Sequence, residues 1–292
     1  MRTLLSHGVD PEAFRWDWYQ GTLRVPEFAH YPERLVDALG EALGAQSAES
    51  VRAQNGYTDA TVLRRNGDVI ARVNYGGRNL WPNALATSEH AQTFAPVLRR
   101  WPHHVTRADV AYDVDAPNAF ETLVAECLAV ADERGVSVSH AGDWHRGEKG
   151  RTVYLGARSS EVFCRVYEKG KEQKGKAVSG QVAAKISGDW ARLEIEVKPK
   201  RQPRRVMASQ MEPAAFLGWS IWTKVLAERV LGLDVPRLER VAWVQSEDER
   251  LIAWMARQWG PTMRRRAESL GGQDALWDEI RRQVWEGGER GA

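Results

Sequence analysis

Apolar and polar residues alternate cleanly along 106–114 (TRADVAYDV). Ala108, Val110, Tyr112 and Val114 fall on one side, and Arg107, Asp109, Ala111 and Asp113 on the other, which is the two-residue period of a strand. The same reasoning predicts strands over 17–25, 136–139, 152–155, 162–168 and 190–198. Segments 61–65 and 69–75 flank Asn66-Gly67, a dipeptide that tolerates the positive φ of a two-residue hairpin turn, and Gly76-Gly77 closes that hairpin. A helical period replaces alternation at 32–43, where Leu35, Val36, Leu39 and Leu43 share one side and Gly44 stops the run. Further helices are predicted over 88–101 and over 120–134, the latter ending before Gly135.

Beyond residue 200 the texture turns helical. Ser209 with Glu212 and Ser246 with Glu249 have capping-box spacing, the run after Ser246 is expected to stop at Gly260-Pro261, and a last helix covers 274–285. The expected fold is therefore α+β: a mostly antiparallel sheet with packed helices over 1–200, followed by an all-helical C-terminal region over 201–292. The Pro/Arg-rich stretch 198–205 reads as the joint, and the Gly/Lys/Ser-rich stretch 172–188 as a mobile loop. No internal repeat appears at solenoid periods.

Composition excludes several classes. Of 292 residues, 43% are hydrophobic and 27% charged, so the chain is neither disordered nor fibrous. No apolar run approaches the ~18–20 residues of a membrane helix. The first residues lack a basic-then-apolar leader, so secretion is not expected and a cytoplasmic protein is. Cys127 and Cys164, in apolar surroundings, read as reduced core thiols, too few for a disulfide scaffold or a zinc cluster. The thirteen Trp, including Trp219, Trp222, Trp243, Trp254, Trp259, Trp277 and Trp285 near helical spacings, read mainly as core.

Net charge is only +2, but its distribution is uneven. Between Arg146 and Lys176 basic residues outnumber acids nine to four, and Lys198, Lys200, Arg201, Arg204 and Arg205 form a run without an acid. Such local excess suits a polyanion or, equally, a solvated face.

Three strands carry chemistry on one side each. Asp109 and Asp113 share a face with Arg107; Glu194 and Glu196 share one with Arg192 and Lys198; Tyr167 shares one with Phe163, Arg165 and Lys169. Carboxylates, a phenol and cations are what metal-assisted phosphoryl transfer needs, with hard oxygen ligands for Mg²⁺ or Mn²⁺ and guanidinium or ammonium groups for phosphate oxygens. Asp109 and Asp113 lie about 13 Å apart along a strand and cannot share an ion, whereas Glu194 and Glu196, about 6.6 Å apart, can converge. The bland alternative is a mixed-charge wet face, common in antiparallel sheets.

TRADVAYD, GRTVYLGARSS, RVYEKGKE and WARLEIEVK, with the opening DWYQGTLRV and the NYGG hairpin end, occur in an order that resembles the Rep_trans family. These are replication initiation factors of rolling-circle plasmids and filamentous phages, related to nickases of integrative elements. The resemblance spans roughly residues 14–230. It implies a DNA nickase and strand transferase that attacks an origin through tyrosine, stays joined to the 5′-phosphate and frees a 3′-OH primer. It carries over Tyr167 as nucleophile, and Asp109 and Glu194, with Glu196, as ligands of Mg²⁺ or Mn²⁺. Arg165 and Lys169 would neutralise developing charge. Arg107, Arg151, Arg158 and Lys171 are the phosphate-contact candidates, although Arg107 and Arg192 are equally placed to pair with Asp109 and Glu194. Tyr154, between Val153 and Leu155, is the competing tyrosine, and Glu168 points away from Tyr167 by alternation.

The expected partners are origin DNA, single-stranded or as an extruded hairpin, with a host helicase as a further candidate and no membrane; the chain would act as monomer or homodimer. Arg264–Arg266 make the tail a candidate origin reader. No His-hydrophobic-His triplet is present, so His-based metal ligation is not expected, and His145 reads as a surface histidine. Two other functions fit the same residues: a conjugative relaxase of an integrative element, and an origin- or operator-binding protein that does not cut.

Overall fold

The computed structural model describes residues 10–238 and 247–286. Chain contacts divide it into two compact units, 1–240 and 241–292.

The first unit is built on a ten-stranded antiparallel sheet. Its strands are β1 (Arg15–Leu23), β2 (Ser47–Arg52), β3 (Asp59–Arg65), β4 (Asp68–Tyr75), β5 (Asn83–Thr87), β6 (His103–Asp115), β7 (Val138–Gly142), β8 (Arg151–Leu155), β9 (Val162–Tyr167) and β10 (Trp190–Val197). The order is β2-β3-β4-β5-β1-β6-β10-β9-β8-β7. The expected α+β class with an antiparallel sheet is borne out. Asn66 and Gly67 take φ of 52° and 88°, the two positive values that the β3–β4 turn demands.

Helices cover one face of the sheet. These are α1 (Pro26–His30), α2 (Pro32–Leu43), α3 (Glu89–Leu98), α4 (Ala119–Arg134), α7 (Gln202–Ala208) and α8 (Ile221–Leu231), with a 3-10 segment over Pro213–Trp219. Leu35 and Leu39 of α2, Phe94 and Leu98 of α3, Leu123 and Cys127 of α4, Phe216, and Leu226 of α8 join Tyr19, Val110, Leu193 and Ile195 in one core. Burying such side chains stabilises by about 1.5–3 kcal/mol each. Cys127 and Cys164 are free and buried. Gly21 lies where a Cβ would fall 2.7 Å from the His103 ring, so α3 and β6 can close on β1 only over a glycine.

The stretch 198–205 is not a joint. It leads into α7, which packs on β6, and it stays within the first compact unit. The stretch 172–188 holds two further helices, α5 (Lys169–Lys176) and α6 (Gly180–Ala184). A Cβ on Gly170 would fall 1.9 Å from the Ser187 carbonyl oxygen, so this segment is packed against itself rather than loose. Ser209 and Glu212 form no capping box, because Ser209 ends α7; the box is Ser220 with Thr223 at the start of α8. Ser246 lies outside the described residues.

The second unit is a helical pair, α9 (Glu247–Leu270) and α10 (Gln273–Arg281). Here α9 runs through Gly260-Pro261, since proline removes one hydrogen bond from a long helix without ending it. Arg266 joins the pair to Glu279 through Nε and Nη2, at 3.0 and 2.7 Å. Trp254, Trp259 and Trp277 are exposed rather than core, because so short a pair has little interior. Trp219 is buried, and Trp243 lies outside the described residues. Among the described residues no helix is long and apolar enough to cross a membrane.

Candidate functional site

The register across β6, β10, β9 and β8 builds three cross-strand rows on the face away from the helices. One runs Asp113, Arg192, Tyr167, Thr152; the next Ala111, Glu194, Arg165, Tyr154; the third Asp109, Glu196, Phe163. Residues from four separate stretches of sequence thus stand side by side, because antiparallel partners on one face lie about 4.5–5.5 Å apart. Asp109, Arg192, Tyr167, Thr152, Arg165 and Tyr154 of these rows line an open cleft of about 1230 Å³, whose walls also include Arg15, Trp18, Lys169 and Lys176.

Charge is unusually deep here. Glu194 is 0% exposed and Asp109 1%. Buried carboxylates persist only when paired, and each has a guanidinium. Arg107 grips Asp109 in a fork, Nε to Oδ1 at 2.8 Å and Nη2 to Oδ2 at 2.5 Å, and reaches Glu196 at 2.8 Å. Arg165 pairs with Glu194 Oε1 and comes within 4.0 Å of Asp109 Oδ2. Burial pushes the Asp109 carboxyl up to about 7 against the opposing pull of Arg107, with Glu194 and Glu196 adding to the rise.

Tyr167 closes the cluster. Its hydroxyl donates to Glu194 Oε2 at 3.3 Å. The Lys169 ammonium stands 5.5 Å, and the Arg165 guanidinium 5.8 Å, from the ring centroid. Burial, then Glu194, raises the phenol above its ordinary value, and Arg192 pulls it back. Lys169 also pairs with Glu172 at 2.8 Å.

The remaining candidates scatter. Arg151 is held by Glu168 at 2.7 Å and Glu121 at 2.6 Å, with its guanidinium over the rings of Phe120 and Trp144. Lys171 pairs with the same Glu168 at 2.7 Å. Their charges are largely satisfied internally, and Glu168 anchors α5 to β8 rather than facing the phenol. Arg158 lies over the stacked rings of Tyr154 and Phe163, 5.0 and 5.2 Å from their centroids. Tyr154 belongs to the cleft wall and not to an apolar layer, because alternation sends Val153 and Leu155 to the core. Asp113 serves structure: it and Asp17 bind the buried Arg192 at 2.7 Å each. His145 is exposed.

Sequence reasoning missed Asp17 and Trp18. The pairing of β1 with β6 slips between Trp16 and Trp18, so Asp17 is an extra residue and both it and Trp18 line the cleft. Strict alternation hides such a bulge.

The family model described as "replication initiation factor", Rep_trans, matches residues 103–216. Over that span the chain is similar to the Rep_trans replication initiation factors. The matched span contains β6, β8, β9 and β10, hence Asp109, Tyr167, Glu194 and Glu196; Asp17 and Trp18 are added from outside it. The resemblance read from TRADVAYD, RVYEKGKE and WARLEIEVK is borne out. Among solved structures, a rolling circle replication initiator protein from Geobacillus stearothermophilus is similar at 17% identity with a TM-score of 0.49, over 77% of this chain and 99% of that one. No curated protein matches the sequence.

Proposed function

We propose that this replication initiation factor starts rolling-circle replication by nicking one DNA strand with Tyr167. The observation that carries the reading is the Tyr167 hydroxyl held against Glu194 at 3.3 Å in a basic, solvent-open cleft. A phenol with a raised pKa does not ionise unaided at neutral pH, so attack needs an acceptor for its proton, and Glu194 Oε2 already takes that hydrogen bond. The tyrosine oxygen bonds to phosphorus, the bond from phosphorus to the 3′-oxygen breaks, and the departing oxygen takes a proton to leave a 3′-OH. Arg165 and Lys169 offset charge on the nonbridging oxygens.

Asp109, Glu194 and Glu196 are the residues that would hold Mg²⁺ or Mn²⁺, which supplies polarisation of the scissile phosphate. As hard oxygen donors on one face they fit such an ion in kind. As arranged, Arg107 and Arg165 occupy the same oxygens, and among the described residues no group of three or more His, Cys, Asp or Glu stands in a metal-holding arrangement. Loading an ion therefore requires the guanidiniums to turn toward DNA phosphate. The exposed Arg264 and Arg265 of the helical unit are further candidates for origin contact.

The test is incubation with single-stranded origin DNA and Mn²⁺, followed by a denaturing gel. A covalent adduct is expected. It is lost in Tyr167→Phe, by a factor on the order of 10⁴ or more in rate, and kept in Tyr154→Phe. An adduct that survives Tyr167→Phe would reject this nucleophile. Binding without any adduct would favour the non-cutting reading.

A further inference from the structure

The basic run 198–205 and Trp18 play no part in the chemistry above, yet they meet. A second groove of about 500 Å³ opens beside Trp18 and Arg107, the two residues it shares with the Tyr167 cleft. Gln54, Asn55, Lys200 and Arg205 also line it, and among the described residues no Asp or Glu does. The nearby acids are engaged elsewhere: Glu161 with Arg204 at 2.6 Å, Glu196 with Arg107 and Lys198. Among the described residues, neither Lys200 nor Arg205 stands within ion-pair distance of a carboxylate; Arg205 spends Nε on the Pro199 carbonyl at 2.8 Å. On the shared wall the Arg107 guanidinium lies 4.1 Å from the Trp18 ring centroid, and the indole N–H donates to Gln20 Oε1 at 3.2 Å, which fixes the ring's orientation.

Unpaired cations, side-chain amides and an oriented indole are the components of a single-strand platform. The cations follow phosphates, the ring offers a stacking face to any base, and amides reach base edges. We infer that this groove is a second subsite for single-stranded DNA, continuous with the Tyr167 cleft across the Trp18–Arg107 wall. Tyr167 stands opposite Arg192, and Lys200 follows eight residues later, three beyond the end of β10, so the two places lie up to about 26 Å apart at ~3.3 Å per residue. A strand reaching both places spans several nucleotides. Lys200 and Arg205 hold its backbone, and Trp18 stacks the base at the crossing.

This subsite rests on the nickase reading for the strand's route, so it is measured without cleavage. Tyr167→Phe protein, free of divalent ions, is titrated with labelled oligothymidylates of graded length at several salt concentrations. The comparison is with the same protein carrying Lys200→Gln and Arg205→Gln. Oligomers too short to span both places bind the two proteins alike. Longer ones bind the variant at least tenfold more weakly, with a salt slope smaller by about 1.4, two contacts at ~0.7 each. Trp18→Ala weakens the long oligomers about tenfold, and Trp18→Phe restores most of that. Unchanged affinity and slope in the double variant, a loss equal at every length, or equally tight binding of duplex would each overturn the subsite and leave the cleft's chemistry standing. If the parent binds no single strand at all, cleft and groove fall together.

Discussion

Arg192 and Tyr167 stand directly opposite each other on β10 and β9. Arg192 is also the cation that opposes what burial and Glu194 do to the phenol. The guanidinium is itself fixed by Asp17 and Asp113, so an ion-pair triad beside Tyr167 offsets part of the rise that burial and Glu194 impose on its phenol. Arg192→Gln should raise the Tyr167 pKa further and move the rising limb of the pH–rate profile to higher pH. It should also cost about 1–3 kcal/mol of stability, because Asp17 loses its partner while Asp113 keeps Arg15. A variant that loses stability but keeps the parent's profile would make Arg192 purely structural.

Glu194 is fully buried, and its main counter-charge is Arg165. Arg165→Gln should therefore lower the thermal midpoint, by the equivalent of a few kcal/mol, and Mn²⁺ should restore more stability to the variant than to the parent, because one of the two competing guanidiniums, Arg165, is then gone and only Arg107 remains. Asp109→Asn should abolish the response. Absence of any Mn²⁺-dependent shift in parent and variant alike would remove Asp109, Glu194 and Glu196 as ligands.

Gly170→Ala places a methyl where the Ser187 carbonyl oxygen lies. The start of α5 must move, carrying Lys169 away from the Tyr167 ring. Adduct formation should fall at least tenfold while stability drops by about 1–3 kcal/mol, and the loss should concern kcat more than DNA affinity. Unaltered turnover would show that Lys169 has no part in the reaction.

His104 supplies a pH dependence unrelated to the cleft. Burial, then Arg24 and Arg205, pushes it down to about 4 from an ordinary value of 6.5, and the Arg24 Nε donates to its Nδ1 at 3.0 Å. The folded state holds it neutral. Its contribution is fully present above about 6.5 and is lost as pH falls toward 4, because the unfolded chain takes the proton first. The thermal midpoint should decline over that window, by the equivalent of up to about 3 kcal/mol, and less steeply in His104→Asn. Parallel curves for the two proteins would refute the assignment.

The alternation in TRADVAYDV and RLEIEVK was enough to place Asp109 and Glu194 on a polar strand face, and Asn66-Gly67 enough to place a turn. Periodicity reports the two sides of one strand and nothing about its neighbour, so the insertion of β10 between β6 and β9, which brings those faces together, was not legible in it. The family motifs grouped Asp109, Tyr167 and Glu194 as one site without giving the strand order. The bulge at Asp17 escaped because one added residue breaks the period it would be read from. Strands β2 and β5 escaped because SAESVR and NALAT alternate weakly, α5 because KGKEQKGK has two glycines and no apolar residue to set a helical period, and α6 because GQVAA is little more than one turn. The tryptophans of α9 and α10 were misplaced because helical spacing says which residues share a side, not whether anything covers it.

The central place of β10 has a consequence for synthesis. It is the last strand to be made, yet Asp109 and Tyr167 become neighbours only across it. Until residues 190–197 are made, no strand stands between β6 and β9 to bring the faces of Asp109 and Tyr167 side by side.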